Sequence, residues 1–209
     1  MGIHGQKWEE YFYPETNVLI NKFNIKDQNK LQEIESTITF EKLMELNLNP
    51  QLIEFNKKSL KDLHKFIFGD IYPFAGQYRK VNMAKQVGGF FNIVFEDSID
   101  KFLDEIFKNV NNRLETCASK YEFSSILAYM YTQLIYCHPF REGNGRTVRE
   151  FVREFSIVKS KCINESLELD WRLINRDELN EHLRVAHIFP GATALLFNEA
   201  LVNNNQIHK

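Results

Sequence analysis

The chain has 209 residues, of which 44% are hydrophobic, enough to bury one sizeable core and close to the upper range of a single domain. A formal net charge of −2 and a sequence pI of about 6.3 exclude an overall field that would draw the chain to nucleic acid or to an anionic membrane, so any anion binding must be local. Cys117, Cys137 and Cys162 are an odd number without pairing or metal spacing, and they are expected to be reduced thiols with no chemical role.

No apolar stretch is long enough to span a bilayer and the N-terminus lacks the basic and apolar regions of a secretory signal, so a cytoplasmic location without membrane partners is expected. There is no repeat, low-complexity tract or Pro/Gly/Ser linker. A single domain over 1–209 follows, with a helical extension over about 1–55 and a core over about 56–200.

In chain order, "NKKSLKDLHKFIFGDIY" carries Leu60, Leu63, Phe66 and Ile67 at helical spacing after Ser59, a candidate N-cap. Next, "YRKVNMAKQVGGFFNIVF" sets β-branched and aromatic residues on both sides of Gly88 and Gly89, the grammar of a short hairpin. Such a ribbon is marginal alone and must lean on helices or be completed by another chain. "SIDKFLDEIFKNVNNRL" and "EFSSILAYMYTQLIY" give two further amphipathic helices, and "RDELNEHLRVAHIF" gives another. The fold class is therefore all-α, with one small β-hairpin.

Between the helix ending near Tyr136 and the periodic run "RTVREFVREFSIV" lies "HPFREGNGRTVRE", His138 to Glu150. At roughly 100° per residue, Arg146, Arg149 and Arg153 fall within about 60° of one another. Val148, Phe151, Val152, Phe155 and Val158 take the opposite side, so one face is core and the other a row of guanidinium groups. The arrangement suits a polyphosphate. Glycines at 143 and 145 let backbone N–H groups approach an anion, the helix start adds partial positive charge, and arginine forks match phosphate oxygens. Glu142 is placed to hold a divalent cation bridging phosphate oxygens. His138 is the side chain here able to take a proton near neutral pH. Singly, a lone histidine, an arginine row and a Gly-Asn-Gly turn each have ordinary structural explanations; their coincidence within twelve residues is what carries weight. The stretch is neither a Walker loop nor a dinucleotide fingerprint, because it lacks the Gly-Lys-Ser/Thr ending and no strand leads into it.

The sequence resembles the Fic (filamentation induced by cAMP) domains, whose signature His-x-Phe-x-Asp/Glu-Gly-Asn-Gly-Arg-x-x-Arg reads here as "HPFREGNGRTVR" without departure. The segments "YFYPETNVLINKFNIKDQNKLQEIE" and "LHKFIFGDIYPFAGQYRKVN" look like the stretches that precede the loop in many bacterial members. The resemblance implies a helical fold with a hairpin flap and transfer of AMP from ATP to a Tyr, Thr or Ser hydroxyl of a target protein, releasing pyrophosphate. By position it implies His138 as general base, Phe140 as core anchor, and Glu142 as ligand of Mg²⁺. Gly143, Asn144 and Gly145 become the anion cradle, with Arg146 and Arg149 on the phosphates. The flap, about Met83 to Phe95, is implied to dock the target as an added strand, with Lys85, Gly88, Gly89 and Phe91 as contacts.

Many relatives carry an inhibitory helix with Ser/Thr-x-x-x-Glu-Gly/Asn, whose glutamate pairs with the second arginine of the signature. The best match, "TITFEK" at Thr37–Lys42, lacks the final Gly/Asn, and Glu199 in "TALLFNEAL" stands at the wrong offset. This points either to an unrestrained enzyme or, the favoured reading, to a toxin-like enzyme restrained by a separate small antitoxin reaching Arg149. The rivals are a phosphotransferase on the same fold and a regulatory nucleotide-binding module. DNA binding is weakest, there being no second basic stripe.

Overall fold

The structure is a computed structural model that describes residues 8–83, 86–87, 90–91, 95–185 and 190–204; for 86–87, 90–91, 185 and 190 it describes the backbone alone. Seven α-helices are present among the described residues: α1 (Gln28–Leu48), α2 (Lys57–Phe68), α3 (Ile99–Glu115), α4 (Lys120–Cys137), α5 (Asn144–Lys159), α6 (Arg176–Val185) and α7 (Pro190–Ala200). The predicted helices correspond to α2, α3, α4 and α6, and the periodic run after the loop to α5.

Helix α4 is the central rod. From Phe123 to Cys137 it buries residues on all sides, including Ile126, Leu127, Met130, Leu134 and Ile135, and it packs against α3, α5 and α7. Each such side chain taken from water contributes about 1.5–3 kcal/mol. Helix α5 turns Val148, Phe151, Val152 and Phe155 into the same core and leans on α2. One continuous buried cluster runs from Val18 to Leu201.

Helix α2 starts one capping box earlier than its serine suggests. Asn56 is the N-cap, accepting from the N–H groups of Lys58 and Ser59, while Ser59 Oγ accepts from the Asn56 N–H. Ser59 is therefore the reciprocal third position rather than the cap. The N-terminal extension is helical mainly in α1, which Asp27 caps through Lys30 N. Before it, the chain makes a bridge between Phe12 and Leu19, and left-handed residues at Glu15 and Asn24 interrupt any helix.

The expected ribbon is β1 (Gln86–Val87) paired antiparallel with β2 (Phe90–Phe91), in the register Gln86 to Phe91 and Val87 to Phe90. Lys85, Gly88 and Gly89 lie outside the described residues, as does the side chain of Phe91. A second ribbon was not expected from the sequence. Strand β3 (Leu167–Leu169) pairs antiparallel with β4 (Leu201–Asn203) and packs on α5. Three residues are too short a run for alternation to register. No helix among the described residues is long and apolar enough to cross a membrane.

Candidate active site

The signature loop joins α4 to α5, and its two ends are fixed by left-handed backbone. His138, the C-cap of α4, has φ 48°, and Gly143, the N-cap of α5, has φ 78°. His138 is 4% exposed. Its strained backbone is held from outside the loop by Arg79, whose Nε donates to His138 O at 2.8 Å while Nη2 reaches Cys137 O at 3.3 Å and Nη1 Val81 O at 2.7 Å. The Arg79 N–H also donates to Pro139 O. A wholly buried guanidinium thus pins the turn that presents the histidine.

Inside the loop, Asn144 closes a ring on Phe140. Its Oδ1 accepts from Phe140 N at 2.8 Å and its Nδ2 donates to Phe140 O at 2.7 Å. The Asn144 side chain is therefore spent on the loop itself, and only its backbone N–H can face an anion. Phe140 is fully buried and stacks on the His64 ring, 3.9 Å between centroids.

His64 is a residue the sequence did not single out. Its Nδ1 accepts from Gly76 N at 2.9 Å, which assigns the ring proton to Nε2, and Nε2 donates to Glu142 O at 2.9 Å. Burial holds its pKa down at about 4, so the ring is neutral at physiological pH.

Glycine at 143 is dictated twice. Its φ is positive, and a Cβ there would lie 2.3 Å from Cζ of Phe68, a ring with no exposed surface. Gly145 differs. A Cβ there would meet nothing nearer than Arg149 Nη1 at 3.4 Å, so the protein's own packing leaves room above it. The Gly143 N–H donates to Glu142 Oε1 at 2.9 Å. The free helix-start donors are then the N–H groups of Asn144, Gly145 and Arg146, which have no intrahelical partner.

The arginine row divides. Arg153 is buried and bound on both sides, to Glu150 at 2.7 and 2.9 Å and to Glu168 at 2.8 Å, and it caps Leu46 O of α1. It is a structural ion centre, not a member of a phosphate-facing row; counting helical angle could not reveal its two carboxylates. Arg146 donates to Thr39 Oγ1 at 3.2 Å and forms an ion pair with Glu35, both on α1, with its guanidinium 4.7 Å over the Phe68 ring. Arg149 reaches solvent, its carbonyl accepting from Trp171 Nε1 at 3.0 Å. Partial desolvation holds its guanidinium below the ordinary value, and the charges of Arg176 and Arg146 press the same way. A cleft of about 450 Å³ opens beside Arg146 and Arg149, walled by Phe40, Leu43 and Met44 of α1 and by Trp171.

Arg141 is buried beneath the N-terminal segment, its guanidinium 4.3 Å from the Trp8 ring and 5.0 Å from that of Phe12. Cys137 is buried, and burial pushes its thiol up to about 12; Cys117 is buried and hydrogen-bonds the exposed Cys162.

Fold and site together define a helical protein that presents one histidine beside a helix start suited to an anion, with an uncompensated arginine at the rim. Comparison with known proteins gives that class its name. The Fic/DOC family model matches residues 54–156. The chain is 32% identical over 156 residues to the probable protein adenylyltransferase y4lH of Sinorhizobium fredii, covering 74% of this chain and 78% of that one. It is 31% identical over 172 residues to the protein adenylyltransferase VbhT of Bartonella schoenbuchensis, covering 82% of this chain but 34% of that longer protein. The BepC protein of Bartonella tribocorum with bound AMPPNP has the same fold, with a TM-score of 0.77 at 23% identity over 94% of this chain and 98% of that one. The chain belongs to the Fic/DOC family.

Proposed function

We propose that this protein transfers AMP from ATP to a Tyr, Thr or Ser hydroxyl of a target protein. The observation that carries the reading is the loop itself: a histidine fixed by Arg79, a helix start with free N–H groups, and a Gly145 whose nearest neighbour is the exposed Arg149 guanidinium all lie on one turn and helix start. In this scheme His138 takes the proton of the target hydroxyl as its oxygen bonds to the α-phosphorus of ATP. The bond from that phosphorus to the bridging oxygen breaks, and pyrophosphate leaves. The N–H groups of residues 144–146 hold phosphate oxygens, and Arg146 and Arg149 balance charge on the departing group. A base in this role typically contributes 10²–10⁴-fold.

Glu142 would hold Mg²⁺. The donor chemistry fits, since this ion commonly takes one or two carboxylates together with substrate phosphates. When bound, the ion would neutralise phosphate charge. The β1–β2 ribbon would receive the target as an added strand, with Lys85, Gly88, Gly89 and Phe91 at the contact.

The cleft beside Arg149 favours a restraining partner of the antitoxin kind. Phe40 and Met44 are large apolar side chains left 65% and 45% exposed on α1 at one-turn spacing, next to a cationic rim. A helix with an apolar stripe and a carboxylate aimed at Arg149 complements both.

The test is incubation with Mg²⁺, lysate and ATP labelled at the α- or the γ-phosphate, beside His138→Ala. Label from the α-position alone, lost in the variant, is expected. Label from the γ-position alone would make the protein a phosphotransferase, and undiminished transfer by His138→Ala would remove the histidine from its role.

A further inference from the structure

We propose that Glu35, in the middle of α1, is a positioning residue for Arg146, fixing the first arginine of the signature for a phosphate beyond the α-position. The inference rests on the nucleotide reading above and goes beyond it by placing part of the site's control in a helix more than a hundred residues away in sequence.

Both oxygens of the Glu35 carboxylate are engaged: Oε1 by Arg146 Nη2 and Oε2 by the Tyr72 hydroxyl. The Arg146 Nη1 donates to Thr39 Oγ1, whose own hydroxyl donates to Glu35 O at 2.8 Å. The guanidinium is thus gripped at both Nη atoms by one helical turn of α1, and from the side by the Phe68 ring. A guanidinium has five N–H donors, and two are used here, so three remain for an incoming anion.

The grip is firm because α1 is itself fixed at several points. Leu31 and Leu46 are buried, Lys42 pairs with Asp70 at 3.2 Å, and Arg153 holds Leu46 O. The side chains of Glu35 and Arg146 are 14% and 25% exposed, so the pair is neither free to rotate into water nor sealed from a ligand. Desolvation makes such a pair sensitive to loss of one member, since the other is left without its counter-charge. Without Glu35, Arg146 keeps its stem but loses its direction.

Calorimetry with Mg²⁺ and either AMPPNP or AMP tests this in the full chain. Glu35→Gln is expected to weaken AMPPNP about tenfold, equivalent to ~1.4 kcal/mol, and to leave AMP, which lacks the outer phosphates, within about twofold. Tyr72→Phe should shift AMPPNP in the same sense by less. In an Arg146→Ala background, Glu35→Gln should add nothing. Unchanged or tighter AMPPNP binding by Glu35→Gln overturns the proposal. So does an equal loss for AMP, or full additivity with Arg146→Ala, because either result assigns Glu35 to stability alone. Should Glu35→Gln fail to fold, Tyr72→Phe and Thr39→Val carry the same comparison. Failure of the unaltered protein to bind AMPPNP is a different result, and it would sink the nucleotide reading itself.

Discussion

Gly143→Ala perturbs the one loop position where backbone and packing both demand glycine. Its φ of 78° lies in the left-handed region, where a Cβ costs about 1–2 kcal/mol. The added methyl would also sit 2.3, 2.4 and 2.9 Å from three atoms of the Phe68 ring. That ring has no exposed surface and lies beside His64, 4.9 Å between centroids, so it cannot swing aside. Overpacking of this kind costs about 1–3 kcal/mol. The sum is about 2–5 kcal/mol, or roughly 4–20 °C in melting temperature for a chain of this length. Calorimetric melting of the variant and of the parent measures it. A second arm separates the terms: in a Phe68→Leu background the steric part is relieved, and Gly143→Ala should then cost only the ~1–2 kcal/mol of the backbone. A melting temperature within a degree of the parent would refute the reasoning. A penalty undiminished by Phe68→Leu would refute its steric half.

His64 makes stability pH-dependent. Its folded pKa of about 4 lies below the ordinary 6.5, so the unfolded chain takes up the proton first as pH falls. Its contribution is complete above pH 6.5 and is lost on descent through about pH 4, at ~1.4 kcal/mol per unit and ~3 kcal/mol in all. Burial raises Glu154, whose Oε2 accepts from Gln51 N and Leu52 N, and this opposes the trend by favouring the folded state as pH falls. The check is therefore the difference between parent and His64→Gln in urea melts from pH 7 to 4; a difference flat with pH would contradict it. Arg79→Lys keeps the charge but replaces a fork that reaches three carbonyls with one ammonium, and should cost about 2–4 kcal/mol in a denaturant titration. A midpoint equal to the parent's would show that the fork is dispensable.

What the sequence made legible was local. Apolar residues at helical spacing located α2, α3, α4, α5 and α6 because each helix buries a face against one core, and the loop residues from His138 to Arg149 stand within a single turn and helix start. What it concealed acts over distance. Arg79 is 59 residues from His138, His64 is 78 from Glu142, and Glu35 is 111 from Arg146. Each looks ordinary in its own neighbourhood: His64 falls on the apolar face of an amphipathic helix, and Glu35 is one of several acids in α1. The β3–β4 ribbon was hidden for a related reason, since its strands are three residues each and lie more than thirty positions apart.

The arginine row shows why a helical wheel is not a charge map. Arg146 and Arg153 are seven residues apart on α5 and both face α1, yet one meets Glu35 and the other Glu150 and Glu168. Arg149 lies between them in sequence, is exposed, and meets the Tyr131 hydroxyl rather than a carboxylate. Three guanidinium groups on one helical face therefore carry three different local charges to an incoming anion: Arg153 is outweighed by two carboxylates, Arg146 is matched by one and oriented, and Arg149 has no carboxylate partner among the described residues. A polyphosphate bound as proposed above would meet a gradient that rises toward the rim, which would favour seating its most highly charged end at Arg149. On the proposed reading, orientation of the nucleotide would be set by α1 as much as by the loop. A partner that placed a carboxylate against Arg149 would erase the gradient at its steepest point.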